Sequence, residues 1–162
     1  MERGSLFSRP LPAFFLVLVA LVLDQASKIA VDHFLPLHEP VELLPVLSLF
    51  RTYNTGVAFS MFQDSSGFLI VGIRLIIVAF VIWLWRKTDP RRFLVHFGYV
   101  LVVAGAAGNL VDRFLYGHVI DFVLFHIGDW WFAVFNLADS FITIGAVLIA
   151  FDETFGRHEK SK

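Results

Sequence analysis

Two aspartates in this chain are placed for acid–base chemistry. Asp121 lies in Val119-Ile120-Asp121-Phe122, flanked by apolar residues. Asp139 lies in Phe135-Asn136-Leu137-Ala138-Asp139, with no basic residue within reach along its helix. Carboxyls that meet in a poorly solvated place cannot both ionise, so they share a proton. One then acts as general base toward a water, and the other as general acid or carbonyl polariser. That is the chemistry of an aspartic protease. A proton relay is the competing use of buried carboxylates.

Other polar residues gather near the same level. Asp24 and Lys28 are four apart, on one helical face and in pairing range, and are expected to act as a structural or positioning pair. Asn109 and Asp112 are three apart and follow Gly105 and Gly108, while Ala104 and Gly108 form a small-xxx-small pair suited to close helix contact. Asn136, Asp139 and Thr143 have the spacing of one polar helical stripe. Helix-to-helix glue and a direct role are equally good accounts of Asn109, Asn136 and Thr143. Arg74 is expected to snorkel outward or to pair with a carboxylate.

The elements that must hold these groups are membrane helices. Of 162 residues 57% are apolar and 17% charged, with a mean hydropathy of +0.74. A soluble domain of this size could not hide that much apolar surface, and disorder is excluded for the same reason. Four segments, about 11–31, 67–85, 93–110 and 131–151, are long and apolar enough to span a bilayer. Arg3 and Arg9 ahead of the first run resemble a signal peptide, but no small-residue cleavage site follows, so that helix is expected to be retained. The expected fold class is all-α membrane protein: one domain over 1–162, with four transmembrane helices and a small extracytoplasmic β platform from the first outer loop. That platform is read from the β-forming stretch Val46-Leu47-Ser48-Leu49-Phe50-Arg51-Thr52-Tyr53, preceded by Pro36, Pro40 and Pro45. The apolar run 57–62 is expected to dip into the interface.

Basic residues set the orientation. Arg3, Arg9, Arg86, Lys87, Arg91, Arg92, Arg157, Lys160 and Lys162 fall on one side, against Arg51 and Arg113 on the other. Both termini are therefore expected in the cytoplasm. Trp83 and Trp85 then sit at the inner interface, and Trp130 and Trp131 at the outer one. The polar clusters converge on the outer leaflet, with Asp139 expected about 12 Å along the fourth helix from Trp131.

Several chemistries are absent from the sequence. There is no cysteine, hence no disulfide, thiolate metal site or cysteine nucleophile. The six histidines, His118 and His126 in the outer loop among them, contain no His-x-x-x-His pair. Neither a His-Glu-x-x-His nor a Gly-x-Ser-x-Gly motif occurs. With 13 basic and 14 acidic residues, the charge balance makes no case for nucleic acid.

Five blocks in order resemble the prolipoprotein signal peptidases of bacteria, the signal peptidase II family. They are Asp24-Gln25-Ala26-Ser27-Lys28; Asn54-Thr55-Gly56-Val57-Ala58-Phe59; Gly105-Ala106-Ala107-Gly108-Asn109-Leu110-Val111-Asp112-Arg113; Val119-Ile120-Asp121-Phe122; and Phe135-Asn136-Leu137-Ala138-Asp139-Ser140. One departure is Ala104-Gly105, where the family usually has two glycines. The resemblance implies a membrane aspartyl endopeptidase that cuts the signal peptide from diacylglyceryl-modified prolipoproteins just before the lipidated cysteine. It implies Asp121 and Asp139 as the catalytic dyad, and Asp24, Lys28, Asn54, Gly56, Asn109, Asp112, Arg113 and Asn136 as substrate-binding or supporting residues. It also implies no metal or organic cofactor, inhibition by globomycin, contact with membrane lipid, a monomer, and a place in the bacterial inner membrane with the site facing outward.

Two other classes compete. A proton-coupled transporter needs carboxylates through the bilayer depth, whereas the inner halves of these spans are almost uniformly apolar. A non-catalytic assembly factor would tolerate changes at Asp121 and Asp139.

Overall fold

The structure, a computed structural model, describes residues 4–55 and 67–156. Gly56 and the run 57–62 lie outside the described residues. After a 3-10 turn at Leu6–Ser8 the elements run α1 (Pro10–Phe34), β1 (Pro40–Leu44), β2 (Leu47–Asn54), α2 (Gly67–Lys87), α3 (Phe93–Tyr116), β3 (Val119–Ile127), β4 (Trp130–Phe135) and α4 (Leu137–Phe155).

Local chemistry explains the boundaries. Pro10 starts α1, where a missing N–H costs nothing, and Pro36 follows its last turn. Gly117 closes α3 in the left-handed region with φ 76°, a conformation that favours glycine. The two-residue turn between β3 and β4 has Gly128 at its first position with φ 57°, which suits the twist of a hairpin. Asn136 caps α4.

α3 is the centre of the bundle and packs on α4, α1 and α2. Its seam with α4 is made of small residues. A Cβ on Gly98 would sit 2.7 Å from the Gly145 carbonyl, and a Cβ on Gly105 would strike the Ala138 carbonyl. Gly98 and Gly105 are seven apart, as are Ala138 and Gly145, so the two antiparallel helices touch backbone to backbone one heptad apart.

The strands form one antiparallel sheet in the order β1-β2-β3-β4. A mostly helical chain with a small sheet agrees with the expected class, but the sheet is larger than a platform from the first loop alone. The first loop supplies only half of the sheet; the rest is a hairpin over residues 119–135, which was expected to be loop and the start of the fourth span. The fourth helix begins at Leu137, six residues later than the span 131–151 requires. Hydrophobicity alone cannot separate a strand from a buried helical segment, and Trp130–Phe135 is aromatic and β-branched, which suits a ladder. The third helix also runs on to Tyr116, past the expected end at 110, so Asp112 and Arg113 are helical.

The distribution of polarity is inverted. Large apolar side chains face outward along three helices, among them Phe14, Phe15 and Val22 on α1, Ile76 and Phe80 on α2, and Val147 and Phe151 on α4. Asp24, Lys28, Asn109, Asp112, Asp121 and Asn136 are buried. Exposed apolar surface on this scale needs an apolar surrounding. Among the described residues, α1 and α3 are long and apolar enough to cross a membrane.

Candidate active site

The site is assembled from five elements. α1 brings Asp24 and Lys28, α3 brings Asn109 and Asp112, β2 and β3 bring Asn54 and Asp121, and the start of α4 brings Asn136 and Asp139.

Asn136 is the hinge of the arrangement. Its side-chain oxygen accepts the Asp139 main-chain N–H at 3.0 Å, and its own N–H donates to Asp139 Oδ2 at 3.3 Å. This is a reciprocal cap of two orphan donors. The free Nδ2 donates to Asp121 Oδ1 at 2.6 Å and to Asn109 Oδ1 at 3.2 Å. Both aspartates are thus one hydrogen bond from the same residue. Asp139 sits in the first turn of α4, where carboxylate charge meets the positive helix end.

The position of Asp139 is a correction. It stands three residues past the cap, at the rim of the helix, and not about 12 Å along it. The expected stripe on α4 dissolves for the same reason: Asn136 precedes the helix and Thr143 is exposed, away from the network.

Each carboxylate has a further amide donor. Asn109 Nδ2 donates to Asp139 Oδ1 at 2.7 Å, and Asn54 Nδ2 donates to Asp121 Oδ2 at 2.9 Å. Asn54 sits at the end of β2, paired with Val119 on β3. Arg113 holds that strand end by donating to the carbonyls of Thr55 at 3.0 Å and Asn54 at 3.5 Å. Asp121 is 3% exposed. Burial, with the nearby charge of Asp139, pushes its carboxyl above the usual range, against the opposing pull of Asn54, Asn136 and Lys28.

Behind the pair lies a buried ion triad. Lys28 Nζ is 2.8 Å from Asp24 Oδ2 and 2.8 Å from Asp112 Oδ2, and it donates to Asn109 Oδ1 at 3.0 Å. All three ammonium protons therefore have acceptors. Asp24 also accepts the Ala138 N–H at 2.9 Å, tying α1 to the first turn of α4. The expected Asp24–Lys28 pair is present, with Asp112 as a third member. Gly108 makes room for it, since a Cβ there would strike Asp24 Oδ2.

Sequence reasoning passed over Gln25. Its amide donates to Asp112 Oδ1 at 2.8 Å, to the Gly108 carbonyl at 3.3 Å and to Asp24 Oδ2 at 3.2 Å, so it bridges the two carboxylates that flank Lys28. Its place one residue after Asp24 was the available signal. His126 bonds Ser48 across the sheet at 2.9 Å, and His118 packs on the Tyr53 ring at 4.3 Å.

A polar constellation inside one rim of an apolar-sided bundle, with two carboxylates on one asparagine, has the parts of a membrane-embedded aspartic-type hydrolase. The profile of the signal peptidase (SPase) II family matches residues 16–155. The lipoprotein signal peptidase of Sinorhizobium fredii is 60% identical over 152 residues, covering 94% of this chain and 92% of that one. Those of Mesorhizobium japonicum and Brucella ovis are 49% and 44% identical, covering 93% and 96% of this chain and 90% and 95% of theirs. A bacterial membrane enzyme solved by the in meso method at 2.3 Å superposes with a TM-score of 0.81 at 25% identity, covering 100% of this chain and 99% of its own. The chain belongs to the signal peptidase II family. It is an integral membrane protein and an aspartic-type peptidase.

Proposed function

We propose that the chain cleaves the signal peptide from diacylglyceryl-modified prolipoproteins just before the lipidated cysteine, with Asp121 and Asp139 as the catalytic dyad. The observation that carries this reading is the shared hydrogen bonding of the two carboxylates to Asn136. Asp139, at the positive end of α4, takes a proton from the attacking water. Asp121, buried and raised in pKa, supplies the acid that polarises the scissile carbonyl. Asn54, Asn109 and Asn136 hold the carboxylates in place. Asp24, Lys28 and Asp112 fix the helices that carry them, and Arg113 fixes the end of β2. Gly56 belongs to the site by motif.

The four long helices, of 25, 21, 24 and 19 residues, rise roughly 28–38 Å, comparable with a hydrocarbon core of about 30 Å. We place both termini in the cytoplasm and the dyad at the extracytoplasmic side of the bacterial inner membrane, from the distribution of Lys and Arg. A signal peptide is itself a membrane helix whose cleavage point emerges at that level, and its acyl chains hold the bond at the boundary. The chain acts as a monomer in contact with membrane lipid, needs no cofactor, and is blocked by globomycin-type cyclic peptides.

The test is cleavage of a lipid-modified lipobox peptide by purified wild type, Asp121→Asn and Asp139→Asn. Loss of cleavage in both variants with retained fold is expected. Retained cleavage in either one removes that residue from the dyad.

A further inference from the structure

The two faces of the sheet are unequal. Residues paired directly across an antiparallel ladder share a face, and so do alternate residues along one strand. Ile120, Phe122, Leu124 and His126 therefore line one face of β3, and all four are buried. Asp121, Val123, Phe125 and Ile127 line the other. The ladders add Leu49 and Leu47 from β2 to that second face, and Phe135 and Ala133 from β4. Its inner end is closed at Asp121. Its outer end is open, with Phe125 38% and Ile127 60% exposed.

An antiparallel sheet with one open face ordinarily turns polar side chains outward there. This one does not. From Val123 to Ile127 the open face is aliphatic and aromatic. β1 continues it, with Val41 opposite Leu49 and Leu44 opposite Leu47, both exposed. An exposed apolar patch of this kind is a surface for a partner or for lipid.

Chemistry separates the occupants. β2 and β3 are interior strands, so their backbone N–H and C=O groups point at neighbouring strands. A peptide laid across them would find no partner for its own amides. A hydrocarbon chain needs only apolar area. The length agrees as well. β3 rises about 20 Å from Asp121 to Ile127, and one leaflet of a hydrocarbon core of about 30 Å holds chains of about 15 Å.

We propose that the open face of the sheet receives the acyl chains of the substrate's diacylglyceryl group, with Phe125 and Ile127 as the residues that read their length. The lipid-bearing cysteine adjoins the bond to be cut, so its chains start beside Asp121, where the apolar track begins. Short chains end near Val123, and only long ones reach Phe125 and Ile127. This inference rests on the proposed function and adds to it the part of the protein that holds the lipid.

The test uses the full chain in neutral detergent with two lipobox peptides, one dipalmitoylglyceryl-modified and one dibutanoylglyceryl-modified. KM is read from cleavage, and Kd from fluorescence anisotropy of labelled peptide. Wild type should favour the long-chain peptide by roughly tenfold or more. Phe125→Ser and Ile127→Ser should each shrink that ratio roughly threefold or more, with Phe125→Leu close to wild type. Val147→Ser, at an exposed apolar position on α4, should keep the ratio. Phe125→Ser weakening both peptides by the same factor would make the face a seat on the bilayer and overturn the acyl track. A ratio unchanged in both serine variants would overturn it too. A wild type that cleaves neither peptide would sink the peptidase reading, while the Kd ratio would still decide this one. Should Phe125→Ser fail to fold, Ile127→Ser, at the more exposed position, decides the matter.

Discussion

The two ends of α3 both carry charge, and they treat it differently. At the C-terminal end Lys28 lies between Asp24 and Asp112, with side chains 2% exposed or less. At the N-terminal end Arg92 pairs with Asp152 at 2.6 Å and Glu153 at 2.8 Å, with side chains 14% to 54% exposed. The first cluster is dry, so every donor and acceptor must be matched inside the protein, and it is. The second is partly wetted and water can complete what the protein leaves open. A closed network imposes geometry on what it touches, here Asn109, Ala138 and through them Asp139. An open one only tethers α3 to α4.

That contrast predicts a ranking. The largest effect is at the dyad: Asp121→Asn and Asp139→Asn should each lower the cleavage rate by roughly 10²–10⁴-fold, with circular dichroism and gel filtration unchanged. Next is Lys28→Met, which leaves two buried carboxylates facing one another. It should cost about 3–5 kcal/mol of stability, read as a large drop in melting temperature in detergent. Asp24→Ala should weaken cleavage less than either dyad change; an equal loss would give Asp24 a more direct role than positioning.

A pH series sharpens the same comparison. Because Asp121 has a raised pKa in the folded protein, the native state holds a proton that the unfolded chain has lost. Its contribution to stability is present below the ordinary aspartate value of about 3.9 and disappears as pH rises through the raised one. Asp121→Asn should therefore gain stability relative to wild type at pH 8 more than at pH 4, about the ordinary aspartate value. The rate profile should be bell-shaped, with its alkaline limb above about pH 4, and a flat profile would count against a shared proton. The smallest effect is at the other end: Arg92→Gln should cost about 1 kcal/mol or less and leave cleavage nearly unchanged. A loss at Arg92 rivalling that at Lys28 would erase the distinction between closed and open clusters.

Much of this was readable in advance. The apolar runs announce α1, α2 and α3, and the i, i+4 spacing of Asp24 and Lys28 announces their pair. The alternation near residue 50 announces β2, because period-2 patterning survives without knowledge of the partner strand. The hairpin at 119–135 did not announce itself, since a run such as Trp130–Phe135 is as apolar as a helix and only its ladder partner tells them apart. The capping role of Asn136 was legible in Asn136-Leu137-Ala138-Asp139 but was overridden by an assumed earlier helix start. The backbone seam of Gly98 and Gly145 depends on two glycines 47 residues apart meeting across an interface, which no local pattern encodes.

Composition and spacing by themselves determined that this chain lives among lipids, that its charged residues are few and clustered, and that Asp121 and Asp139 are carboxylates set among apolar neighbours with no basic residue close by in sequence. Those are properties of single residues and short windows, set by solvation and by helical period. Tertiary structure alone decided that Asn136 joins both carboxylates, that Asp112 and Gln25 complete the Lys28 cluster, and that Asp139 lies at a helix rim. Each of these depends on side chains brought from different elements to within about 3 Å, the range in which hydrogen bonds act.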